Sequence, residues 1–225
     1  MERTGRWGSW LLILGLMGVC VGCDFATLTY FLLPEPRQPA QLKRLAEDGK
    51  KIKVVLLVDM GLETRPEFVQ ADVDLANLLA RQLQTLFKEN KEDVELVPQR
   101  EVELYKSTNP GWRENFDPAE VGRHFEAQRV VYLEIRSLSL YEKGSLNTMY
   151  RGHADLTISV IEVEDPNQVP ERKFFTTVYP GDPRGGVAVG DMTAMEFRQH
   201  FLNYLAKKLS WHFADYRQQD TYFLE

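Results

Sequence analysis

Cysteine is almost absent. The two in 225 residues, Cys20 and Cys23, stand three positions apart near the amino terminus, which leaves no spaced set for a disulfide framework. Histidine is scarce too: His124, His153, His200 and His212 form no H-x-x-x-H pair. One helix carrying His200 and His212 would project them about 120° apart, so no local metal motif is present. The chain has no Gly-x-Ser-x-Gly elbow and no glycine loop ending in Gly-Lys-Ser/Thr, which removes the usual marks of acyl transfer and nucleotide binding. Positive charge is not in excess, with 27 Lys and Arg against 33 Asp and Glu for a net −6. The basic residues are scattered rather than striped, which argues against a nucleic-acid surface. No motif calls for a cofactor.

What is present is ordinary globular composition, 44% hydrophobic and 11% aromatic, too apolar for disorder and sufficient for one or two domains. A chain of this length buries roughly 70% of its unfolded surface without staples.

The first segment is the exception. Arg3 and Arg6 precede an uninterrupted apolar run from Trp10 to Val21, followed by Gly22-Cys23, the charge, core and small-residue order of an export signal. The tetrad Cys20-Val21-Gly22-Cys23 resembles the lipobox of bacterial lipoproteins. That resemblance implies removal of residues 1–22 and acylation of Cys23, which becomes the new amino terminus held in membrane lipid. Cys20 stands where the family most often has Leu. The physical rival is an uncleaved signal anchor, because Trp10 to Leu33 spans 24 residues and is apolar apart from Asp24. An Asp inside such a span would cost about 2.5–3.5 kcal/mol, which favours cleavage before Cys23. Both readings tether the chain to a membrane. Pro34, Pro36 and Pro39 then stiffen a membrane-proximal linker over 23–50, with Tyr30 to Leu33 either part of that stalk or packed back on the domain.

From residue 51 to 216 the chain reads as a single α/β (α+β) domain. The expectation is a mixed sheet of about five strands, with three or four helices packed mainly on one face, in the order β-α-β-α-β-β-β-α. Ile52 to Val58 is β-branched and aliphatic without a clean period, as for a central strand covered on both faces. Leu75, Leu79, Leu83 and Leu86 recur at helical spacing. Val94 to Val97 is a short strand. Asp117-Pro118-Ala119-Glu120 is a helix start, and Thr193-Ala194-Met195-Glu196 is a second capping box that opens a long helix with Phe197, Phe201, Leu205 and Leu209 on one stripe. Between them lie strands at Arg129 to Leu140, Gly152 to Val160 and Arg172 to Tyr179, the first two joined by a turn at Glu142-Lys143-Gly144-Ser145. Residues 217–225 are a carboxyl-terminal tail.

The phrase Val94-Glu95-Leu96-Val97-Pro98-Gln99-Arg100-Glu101-Val102, and the capped helix at Asp117 leading into Arg129-Val130-Val131-Tyr132, are similar in placement to the amino-terminal domain of TolB and to curli-secretion lipoproteins. With the lipobox, the chain resembles small bacterial lipoproteins carrying such a domain. The resemblance implies a non-enzymatic binding or assembly module of the cell envelope, in assembly, secretion or transport. Its partners would be envelope proteins and the membrane lipid at Cys23, facing the periplasm or exterior. No long alternating hairpins suggest a membrane barrel.

Two places could carry function. In Gly152 to Val160, Ala154, Leu156, Ile158 and Val160 face one way and His153, Asp155, Thr157 and Ser159 the other. With Glu134 and Arg136 on the neighbouring strand, that polar row is either the solvent face of an antiparallel sheet or a protein contact. A flat polar face offers small ligands no enclosed pocket. The loop Gly181-Asp182-Pro183-Arg184-Gly185-Gly186 could present amides and Arg184 to an anion, as in a hydrolase, or simply connect a strand to the final helix. Self-association through strand edges is a third reading. Glu162, Glu164 and Asp165 read as solvated acids at a strand end.

Overall fold

The sheet grows outward from Ile52–Met60 (β2), whose residues from Val54 to Val58 are all buried. The computed structural model describes residues 37–61, 65–113, 116–165, 169–182 and 185–217. Strand β2 pairs in parallel with Val94–Leu96 (β3) on one side and with Arg129–Tyr141 (β4) on the other. Burial on both faces explains its unbroken aliphatic run, as a central parallel strand requires. Antiparallel pairing then adds Met149–Glu162 (β5) and Glu171–Tyr179 (β6), giving the order β3-β2-β4-β5-β6. Val187–Ala188 (β7) pairs with the first residues of β5. A separate two-stranded ladder joins Arg37–Gln38 (β1) to Tyr216–Arg217 (β8).

Two long helices cover one face. Ala71–Asn90 (α1) buries Leu75, Leu79, Leu83 and Leu86, the stripe expected from their spacing. Ala194–Ser210 (α4) buries Phe197, Phe201, Leu205 and Leu209. Its amino terminus is the predicted capping box: Thr193 Oγ1 accepts from the Glu196 amide at 3.2 Å, and the Glu196 carboxylate accepts from the Thr193 amide at 3.0 Å. Together they cover Val131, Leu133, Ala154, Leu156 and Ile158 in one apolar cluster. Each fully buried Phe or Leu there contributes about 1.5–3 kcal/mol.

The opposite face is covered only in part. Gln99–Thr108 (α2) and Pro118–His124 (α3) bury Val102 and Val121 over Val55, Leu57 and Val130. The helices are therefore unequal in distribution: the two long ones lie on the first face, and two short ones cap one end of the second. Asp117 caps α3 through its side chain, which accepts from the Ala119 amide at 2.9 Å. That helix ends at His124. Similarly, α4 ends at Ser210, so His212 sits in the turn beyond it and does not share a helix with His200.

Residues before β2 are tied to the end of the chain. The amides of Gln41, Leu42 and Leu45 donate to the carbonyls of Trp211, His212 and Phe213 at 2.9, 3.1 and 2.9 Å. Leu45 is fully buried. Beneath it Arg129, 5% exposed, donates to the Leu45 carbonyl at 2.6 Å, to Glu162 at 2.8 Å and to Glu47. Lys43 reaches Glu162 at 2.8 Å and Glu171 at 3.2 Å. Glu162, expected as a solvated acid, is instead the centre of this ion network.

Candidate functional site: the open sheet face

The register of β4, β5 and β6 sets the uncovered face row by row, because residues opposite each other on paired strands project to the same side. Tyr132, Ser159 and Arg172 form one row, and Glu134, Thr157 and Phe174 the next. From β2, Asp59 joins the second row beside Glu134. Farther along, Asp155 lies opposite Thr176, whose hydroxyl donates to it at 2.7 Å, and His153 lies opposite Val178. The structure thus places Glu134, His153, Asp155, Thr157 and Ser159 on one surface.

Arg136 reaches this surface by a different route. The β4–β5 register shifts between Ile135 and Ser137, a bulge that leaves Arg136 as the extra residue. Its guanidinium lies 5.1 Å from the centroid of the Phe174 ring, a cation–π distance. Phe174 is 68% exposed, a large apolar ring set among polar neighbours.

The middle of the face is closed to water. Thr157 and Ser159 are each 3% exposed, and their hydroxyl oxygens have no hydrogen-bond partner among the described residues. Buried hydroxyls left unpaired cost free energy and are uncommon. Beside them Tyr132 has its phenol pushed above its ordinary pKa, first by burial and then by the negative charges of Asp59 and Glu134. A tyrosine is a neutral donor at physiological pH even without this shift. Asp59 itself is held by Arg113, whose Nε donates at 2.9 Å.

At one end the face is not flat. A groove of about 380 Å³ opens between α3 and the sheet, lined by Phe116, Pro118, Tyr132, Ser159, Ile161 and Arg172 among others. Its wall is aromatic: the rings of Phe116 and Tyr132 lie 4.5 Å apart, with Trp112 behind at 5.5 Å from Phe116. Tyr132, Arg172 and Phe174 were missed by sequence reasoning. The signals were the alternation of β4 two residues before Glu134 and the antiparallel register of β6, which no sequence pattern fixes.

The glycine loop contributes less that can be described. Pro183 and Arg184 lie outside the described residues, while the Gly185 amide donates to the Asp182 carbonyl at 2.9 Å and so is engaged within the turn. A Cβ on Gly186 would stand 2.5 Å from Met149 Cε, the far end of a flexible side chain. Gly181 precedes this turn. Cys23 also lies outside the described residues. The histidines are dispersed: His124 packs against Tyr105 and Phe125, His200 is exposed on α4, and His212 is buried. Among the described residues no group of three His, Cys, Asp or Glu could hold a metal ion, and no helix is long and apolar enough to cross a membrane.

Fold and face together define a single α/β domain with a mixed sheet, one face closed by helices and the other largely open. The sequence matches no protein-family model and no curated protein. Solved structures similar to it include the PelC dodecamer from Paraburkholderia phytofirmans, at 11% identity over 79% of this chain and 96% of that one, TM-score 0.40. The hypothetical protein CT253 from Chlamydia trachomatis is 12% identical over 72% and 98%, TM-score 0.44. Lipoprotein GNA1162 from Neisseria meningitidis is 9% identical over 71% and 98%, TM-score 0.39.

Proposed function

We propose that this chain is an exported, membrane-tethered accessory protein of the bacterial envelope, held by lipid on Cys23, whose open sheet face docks another envelope protein without doing chemistry on it. The observation that carries the docking half is the row Glu134, Thr157 and Phe174: an exposed ring held by Arg136 beside buried hydroxyls that lack partners. Exposed aromatic and arginine side chains are the usual anchors of protein contacts. The signal and lipobox-like tetrad at Cys20 to Cys23 support the tether. A second copy of the chain is one partner this reading admits, since β6 ends the sheet and leaves its outer edge without a strand among the described residues.

Photo-crosslinking in the native host tests the reading. A benzoylphenylalanine at position 174 should give a discrete adduct with an envelope protein or a second copy, and the same group at position 81, exposed on α1, should not. Equal labelling from both positions, or none from 174, overturns it.

A further inference from the structure

We propose that the groove beside α3 binds a small amphiphile carrying one carboxylate on an aromatic or aliphatic body. The inference rests on the open face being a binding surface and names what its grooved end takes. Three donors stand in one row on the groove floor, Tyr132 on β4, Ser159 on β5 and Arg172 on β6, with neighbouring Cβ atoms about 5 Å apart. Among the described residues Arg172 enters no ion pair, and the Ser159 hydroxyl, in a residue 3% exposed, meets no acceptor. Tyr132 carries its phenolic proton at physiological pH and can donate it. All three groups can donate a hydrogen bond into the groove.

A carboxylate answers all three at once. Its two oxygens carry about four lone-pair sites and match the planar fork of a guanidinium, leaving capacity for the two hydroxyls. The acids on the rim do not compete for Arg172: Asp117 accepts from the Ala119 amide at 2.9 Å and from Arg123 at 3.0 Å, and Asp165 is not free. The ligand body meets Phe116, Pro118 and Ile161. A volume of about 380 Å³ lies at the small end of ligand pockets, about 300–1,000 Å³, and suits a small molecule.

The test is calorimetric titration of the full chain in lipid nanodiscs, with empty discs subtracted, using 4-phenylbutyrate and its neutral counterpart 4-phenylbutan-1-ol. The acid should bind at least about tenfold more tightly than the alcohol, as a charge-assisted pair provides. Arg172→Gln should erase that preference, and Ser159→Ala should weaken the acid several-fold without lowering the melting temperature. Arg81→Gln on α1 should change neither. Equal affinity for acid and alcohol, no heat from either at about 5 mM, or a preference that survives Arg172→Gln overturns the proposal. If acid binding fails while crosslinking from position 174 persists, only the groove inference falls. If the acid preference holds while crosslinking fails, the protein-docking reading falls instead.

Discussion

Gly152 lies directly beneath the ring of Phe201: a Cβ built on this glycine would stand 2.6 Å from the ring's Cδ2 and 2.7 Å from Cγ. The residue sits on β5 and the ring on α4, so the absence of a side chain sets how closely the long helix approaches the sheet. Gly152→Ala should cost about 1–3 kcal/mol, the usual price of overpacking a core. Pairing it with Phe201→Leu should return part of that loss, and urea unfolding of the single and double variants measures the coupling. Strict additivity would mean that the two residues do not limit each other.

Arg129 joins the segment before β2 to the sheet. Replacing it with Met removes its bonds to the Leu45 carbonyl, Glu47 and Glu162 and leaves acids that it compensated. The expected loss is about 2 kcal/mol, below that of a fully buried pair because Glu47 and Glu162 are partly exposed. Hydrogen exchange should also quicken at the Leu45 amide, which donates to the Phe213 carbonyl at 2.9 Å. Unchanged protection there would detach Arg129 from the anchoring of this segment.

His212 makes stability depend on pH. Burial first, and then the charge of Lys173, lower its pKa to about 4, against a weaker opposing effect of the Lys208 carbonyl. Above its ordinary value of 6.5 the ring is neutral folded or unfolded, and stability is unaffected. As pH falls from 6.5 toward 4 the unfolded chain takes a proton that the folded chain refuses, so the native state loses ground, and the loss levels off below 4. Between pH 7 and pH 5 this contributes about 2 kcal/mol. Urea unfolding at the two pH values, compared with His212→Phe, should show a drop smaller by that amount in the variant. Identical drops would contradict the assignment.

Thr157 offers the reverse sign. Thr157→Val keeps the shape of the side chain and removes a buried hydroxyl that has no partner among the described residues, so it should raise stability by about 1 kcal/mol, or about 2–4 °C in Tm. The same change should weaken the adduct formed from position 174. A lower Tm would show that the hydroxyl is satisfied in solution.

The closed half of the molecule was legible in the sequence because its signals are local. The α1 leucines follow the helical period, the Thr193–Glu196 box lies within one turn, and β2 declares burial on both faces by its unbroken aliphatic run. The alternation of β5 likewise separated Ala154, Leu156 and Ile158 from His153, Asp155, Thr157 and Ser159. The open face was half legible, because Tyr132 and Phe174 join Ser159 and Thr157 only through strand register, and a bulge brings Arg136 over Phe174. The groove was invisible, since it arises where a seven-residue helix stops short of covering the sheet. The contacts of Arg129 with Leu45 and Glu47, more than 80 positions away, leave no periodic trace.

The proposed docking to an envelope protein presupposes that the open face lies outside the cytoplasm on a lipid tether. Mass spectrometry of the intact amino-terminal peptide from host membranes tests this most directly. The account predicts a peptide that begins at Cys23 and carries the mass of a thioether-linked diacylglycerol, with residues 1–22 gone. A peptide beginning at an unacylated Met1 and reading through Cys23 without added mass would contradict it.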